Sequence, residues 1–279
     1  MLRIAAVAHL RFDSDQGRPP FDGLREVFAE RLAPYAVPVA DELSGNRNSF
    51  SRMCAAVLAR LCPQDVPDVV LVAHAAHDCD LSTSIAGYLQ QRLPGDPLVF
   101  AVSDQGATTG FAALTLAQAL YDTGGGTRIA VVLLDQATFP YTDPLLAGLD
   151  RRQDHAVGLL LAPDGDVAVT GLRVCPRTGP RSPALAEAVK EATAAPAGVV
   201  VAGAGLDPAD VAAAAAGPVV VRHAARDRLT TAVWSALAQE LSVPDAGPRT
   251  VVAVEHETAL GYLCTLTLTV SPRNREDRP

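Results

Sequence analysis

Two hydrophobic periodicities alternate along the chain. Val69-Val70-Leu71-Val72 and Ile129-Ala130-Val131-Val132-Leu133-Leu134 are apolar at every position, the pattern of parallel strands covered on both faces. This reading predicts strands at 3–8, 68–73, 98–103, 128–134, 156–162, 167–174, 199–202, 219–221, 250–255 and 260–270. Between them, three- and four-residue spacing predicts helices at 21–32, 49–61, 82–93, 108–121, 182–194, 208–215 and 227–241. Asn48-Ser49, Ser82-Thr83-Ser84, Ser182-Pro183 and Asp207-Pro208 supply cap and first-turn residues. The order β-α-β-α-β-α-β-β occurs twice, with a seam near Pro163-Asp164-Gly165. It divides the chain into a first half (1–165), a shortened second half (166–271) and a polar tail (272–279) expected to fray.

Composition narrows the class without naming a chemistry. Hydrophobic residues make up 49% of the 279 and charged residues 19%, enough apolar surface for a large core. The formal charge of -8 argues against an electrostatic surface for nucleic acid or anionic membrane. No apolar run approaches the roughly 18 residues of a membrane span. Met1-Leu2-Arg3-Ile4 enters a strand directly, without signal-peptide architecture. Five scattered cysteines (54, 62, 79, 175 and 264) fit reduced thiols. A cytoplasmic α/β protein is expected.

The most informative segment is Ser103-Asp104-Gln105-Gly106-Ala107-Thr108-Thr109-Gly110-Phe111-Ala112-Ala113-Leu114, where a buried strand turns directly into a helix. It resembles the corner at which thiolases and ketoacyl synthases hold their reactive cysteine, and the frame fits without a gap. The cysteine position then falls on Ala107. Other segments are similar to ketoacyl synthases of the type III, chain-initiating kind: Pro67 to His74, Ser84 to Gln90, Thr127 to Leu134 and Asp154 to Leu161. The resemblance implies a thiolase-like duplicated α/β fold in five layers, α-β-α-β-α.

It also implies where the remaining machinery should stand. Family enzymes place a His after one strand of the second half and a His or Asn after the next. The first position falls near Val201-Ala202-Gly203-Ala204-Gly205-Leu206, which has no imidazole; the second falls on Asp227, with His223 nearby. The family's glycine-rich loop is replaced by Val254-Glu255-His256-Glu257-Thr258-Ala259-Leu260-Gly261, a charged segment expected to crowd an oxyanion pocket. A helix N-terminus lowers a thiol's pKa, but a methyl group has none to lower. The condensing site is therefore expected to be dead.

Bland readings stand beside these. Thr108 and Thr109 are expected to cap the helix, since a hydroxyl nucleophile needs a base and none is identifiable. His74, His77, Asp78, Cys79 and Asp80 superficially suggest metal ligands, but no second cluster completes a site, and an interface or former substrate-channel loop is the better reading, which makes Cys79 the one cysteine expected in an exposed loop. Asp104-Gln105 fits a subunit seam or a simple turn. Gly124-Gly125-Gly126 follows a helix and precedes a strand, the wrong order for a phosphate cradle. No Gly-x-Ser-x-Gly elbow is present.

The resemblance implies a non-catalytic ketosynthase-like subunit that needs no cofactor or metal. Such a subunit would pair with an active ketosynthase as a heterodimer or heterotetramer, with acyl carrier protein as a further partner. It would stabilise or shape the partner's acyl site, or limit chain length, in polyketide or fatty-acyl biosynthesis. Val99, Ala101, Ser103, Asp104, Gln105, Thr108, Thr109, His74 and His77 are the expected contact residues. One alternative is an acyltransferase or hydrolase using Thr108 or Cys79 with His74, His77 or His223. Another is a homodimer that binds an acyl group or carrier protein.

Overall fold

The structure, a computed structural model, describes residues 2–13, 23–40, 46–63, 66–139, 141, 153–176, 182–195, 197–215, 217–243 and 247–271. The expected tail at 272–279 lies outside them. The first half runs β1 (Arg3–Phe12), α1 (Leu24–Leu32), α2 (Phe50–Leu61), β2 (Val69–His74), α3 (Ile85–Gln90), β3 (Leu98–Val102), α4 (Thr109–Asp122), β4 (Ile129–Asp135) and β5 (Asp154–Ala162). The second runs β6 (Val167–Pro176), α5 (Pro183–Ala194), β7 (Val199–Ala202), α6 (Pro208–Ala214), β8 (Val220–His223), α7 (Ala232–Leu241), β9 (Arg249–Glu257) and β10 (Tyr262–Val270).

The ten strands are ordered β3-β2-β4-β5-β1-β6-β10-β9-β7-β8. Counted within its own half, each set of five has the same sequence, 3-2-4-5-1, read inward from each outer edge to the seam. The pairing repeats too. β2 is parallel to β3 and β4, and β7 to β8 and β9, whereas β5 and β10 run antiparallel to both their neighbours. The halves meet where Arg3 and Ile4 pair with Ala168 and Val167.

Three apolar cores make five layers. The central one joins α4 and α7 to the inner faces of both halves of the sheet, through Phe111, Leu114, Trp234 and Leu237 against Leu71, Val131, Val201 and Ala253. The strand residues in between face outward, Val70, Val72, Ala130 and Val132 toward α2 and α3, Val252 and Val254 toward α5. That is why β2 and β4 are apolar at successive positions: both pleat faces are covered. The central helices cross where Gly110 faces Trp234. A Cβ there would lie 2.4 Å from the indole Nε1 and 2.3 Å from Leu133 Cδ2.

Several boundaries differ from the sequence reading. β1 extends to Phe12 because its last residues pair with β5, Phe12 with Asp154. The helix expected at 82–93 is confined to Ile85–Gln90, although Ser84 does cap it. The helix expected from residue 227 begins only at Ala232, because Asp135 and Arg228 hold the intervening residues in a loop. Asp207 caps α6 through Ala209 N–H, whereas Ser49 and Ser182 make no side-chain cap bond. Among the described residues, no helix is long and apolar enough to cross a membrane.

Candidate functional site at the start of the first central helix

β3 ends at Val102, and the chain turns through Asp104 and Gly106, whose φ angles of 64° and 53° lie in the left-handed region. A short 3-10 turn, Gly106–Thr108, then leads into α4. Ala107 is buried in that turn with its amide at the positive end of the helix.

The partner of that amide comes from the other half of the molecule. Ala107 N–H donates to Glu257 Oε2 at 2.7 Å, and Ala259 N–H donates to Oε1 of the same carboxylate at 3.0 Å. Glu257 is the last residue of β9 and is buried. A Cβ on Gly106 would lie 2.0 Å from Glu257 Oε2, so the glycine serves both its positive φ and the close approach of the carboxylate.

Glu255 shares the inner face with Glu257 two residues on, and it is fully buried. Its Oε1 accepts from Gly205 N–H at 3.0 Å and His256 N–H at 2.9 Å, while Oε2 has no hydrogen-bond partner. That oxygen packs against Gly203, where a Cβ would meet it at 2.1 Å. Burial pushes the Glu255 carboxyl up to about 7, more than its backbone hydrogen bonds pull it down. Opposite Glu255 in the β9–β10 register stands Cys264. Its thiol lies beside the Thr108 hydroxyl, and burial pushes it up to about 12. A thiol does therefore reach the bend from elsewhere in the chain, but it is held protonated.

The threonines differ from their expected role. Thr108 and Thr109 are buried and donate their hydroxyls to the carbonyls of Gln105 and Gly106, both at 2.7 Å. They tighten the turn and do not accept from helix N–H groups, so neither caps.

The loop after β2 also differs from its expected exposure. Cys79 is buried: its N–H donates to Gln136 Oε1 at 3.0 Å, and Gln136 Nε2 donates to its Sγ at 3.3 Å. Burial and the neighbouring Asp78 and Asp154 raise its thiol, which is neither exposed nor disposed to react. Asp78 accepts from Phe50 and Asp80 N–H groups at 2.9 and 3.0 Å, and burial pushes it up to about 6. His74 is buried beside Phe50, with its Nδ1–H donated to Ala76 O at 2.8 Å; His77 is exposed. Val99 packs into the outer core, whereas Ala101 and Asp104 are exposed and Ser103 and Gln105 half-buried. His223 is exposed at the end of β8, and Asp227 is ion-paired with Arg228.

The same construction recurs at α7. Asp135, the last residue of β4, accepts from Thr230 N–H at 3.1 Å and from Thr231 N–H and hydroxyl at 2.7 Å each. Each central helix thus begins on a carboxylate from the end of the equivalent strand in the opposite half. Glu257 and Glu255 were legible only as a charged loop; their alternation at the end of an apolar strand was the signal that both point inward.

No family model matches the chain, and no curated protein matches it. Solved structures do. The acyltransferase ChlB3 superposes with a TM-score of 0.65 at 15% identity, covering 97% of this chain and 98% of that one. The tetronic acid condensing enzyme AbyA1 gives 0.62 at 15% identity over 97% and 100%. The 3-oxoacyl-(acyl carrier protein) synthase III of Pseudomonas aeruginosa gives 0.60 at 16% identity over 98% of each chain. The fold is thiolase-like, and these solved structures share it.

Proposed function

We propose that this chain is a non-catalytic member of the ketosynthase-like group, working as the structural partner of an active condensing enzyme in polyketide or fatty-acyl biosynthesis. One observation carries the proposal: Ala107 sits where the resemblance places a nucleophile, and its N–H is already taken by Glu257 at 2.7 Å. A tetrahedral oxyanion needs such an N–H unoccupied. Here a protein carboxylate holds it, and a second, Glu255, lies on the same face. Negative charge developing at this corner would be repelled.

The partner surface follows from the free edge of the sheet. β3 ends the strand order and pairs only with β2 among the described strands, so its outer side can accept another strand. Ala101 and Asp104 are exposed there, with Ser103 and Gln105 half-buried beside them and exposed His77 on the β2 loop. These five residues are the proposed contact set; Val99, Thr108, Thr109 and His74 support it from inside. Co-expression with an intact ketosynthase encoded beside this chain tests the reading. A stable one-to-one complex, lost on Ala101→Pro, is the expected result. A homodimer that ignores the ketosynthase would refute it.

A second reading, acyl transfer at this corner by Thr108 or Cys79, draws only on the acyltransferase among the structural neighbours. The geometry works against it, since Thr108 Oγ1 is committed to Gln105 O and Cys79 is raised by burial.

A further inference from the structure

The repeat that relates the halves sets the α7 corner opposite the α4 corner, and a polar cluster lies there that the scaffold role does not use; the loss of chemistry proposed above concerns condensation at the α4 corner alone. His9 of β1 and His155 of β5 stand two residues from the inward-facing Val7 and Val157, and their rings stack with centroids 5.6 Å apart. Arg228, in the loop before α7, forms a two-pronged pair with Asp227, at 2.6 and 2.9 Å. Its Nη1 remains, and donates to His155 Nδ1 at 3.0 Å and to Ser235 Oγ at 3.3 Å. Ser235 is the fourth residue of α7, and its Oγ lies 3.3 Å from His9 Nε2. His9 Nε2 also lies 3.4 Å from His155 Nδ1, whose lone pair Arg228 takes; in the tautomer that carries its proton on Nδ1, His9 Nε2 accepts the Ser235 hydroxyl proton.

We infer that Ser235 and His9 form a nucleophile–base pair that takes a small acyl group from an activated ester or thioester, with Arg228 supporting the serine oxygen. As the Oγ–C bond forms, His9 Nε2 takes the hydroxyl proton. Collapse of the tetrahedral species breaks the bond to the leaving thiolate or alkoxide, which leaves with that proton. A water molecule, deprotonated by the same nitrogen, then attacks the acyl-serine, and Oγ recovers its proton as the acid departs. Burial and the charges of Arg228 and Arg11 hold His9 below its ordinary value, so its imidazole is neutral and able to accept. Ser235 is buried, whereas Asp227 is 37% and Arg228 13% exposed, so the inferred reaction requires entry of the acyl group from their side.

The test uses the full chain and a serine-directed fluorophosphonate, with the adduct located by peptide mass spectrometry. A single adduct on Ser235 is expected. Ser235→Ala should abolish it, and His9→Gln should slow labelling by about 100-fold or more at an unchanged melting temperature. No adduct on the wild-type chain, an adduct on Thr108 or Thr109, or labelling of His9→Gln at the wild-type rate would overturn the inference. The wild-type map decides the site even if a variant folds poorly.

Discussion

Ala107 is a small residue in a place with large electrostatic consequences. Its amide is one of the donors that a helix start leaves unsatisfied, and Glu257 satisfies it from 150 positions away. Replacing Glu257 with Ala leaves the Ala107 and Ala259 N–H groups without their acceptor. A loss of about 1–3 kcal/mol in urea unfolding is expected. Glu255 makes a different prediction. Its folded pKa of about 7 stands above the ordinary 4.5, so its contribution to stability is fully present below 4.5 and is lost as pH rises through 7. Thermal melts of wild type and Glu255→Gln should therefore diverge over that interval, the wild type falling and the variant staying flatter. Parallel curves would show that the carboxyl ionises as freely in the fold as outside it.

At the scale of elements, the crossing of α4 and α7 fixes where both corners sit. Gly110 permits it: a methyl group would lie 2.3 Å from Leu133 and 2.4 Å from Trp234. Gly110→Ala should cost about 1–3 kcal/mol by overpacking, measured by chemical denaturation, even though alanine is the better helix former. The strands that flank this crossing were legible in the sequence because their two-faced burial leaves a continuous apolar run. The ends of elements were less so. Residues 227–231 carry a helical pattern, yet Asp135 and the Arg228–Asp227 pair hold them as a loop. Cys79 looked accessible because Gln136, which buries it, lies 57 residues further on. A local pattern reports periodicity; it does not report a partner brought in by the fold.

For the whole molecule, the duplicated 3-2-4-5-1 order places one carboxylate-capped corner in each half, and the two differ in what surrounds them. The α4 corner gathers Glu255, Glu257 and a protonated Cys264; the α7 corner gathers two neutral imidazoles, a serine and an arginine. The duplication was legible from element order, and the strand–turn–helix corner around Ala107 from the segment that spans it. The crossed carboxylates were not, because each joins opposite halves. If the scaffold role holds, a partnering ketosynthase should keep its activity only in complex with this chain, and Ala101→Pro at the free edge of β3 should lower activity and co-purification together. Activity assays on separately purified and mixed subunits would measure it.

The occupied corner can be probed by installing a thiol. Alkylation of residue 107 with iodoacetamide, mapped by peptide and followed against pH, should show Ala107→Cys to be sluggish at neutral pH beside Glu257. In Ala107→Cys/Glu257→Gln the same thiol should react about tenfold faster or more, its pKa lowered by the helix start once the carboxylate charge is gone. Equal rates in the two variants would contradict the account, because Glu257 would then not be what closes this corner to negative charge.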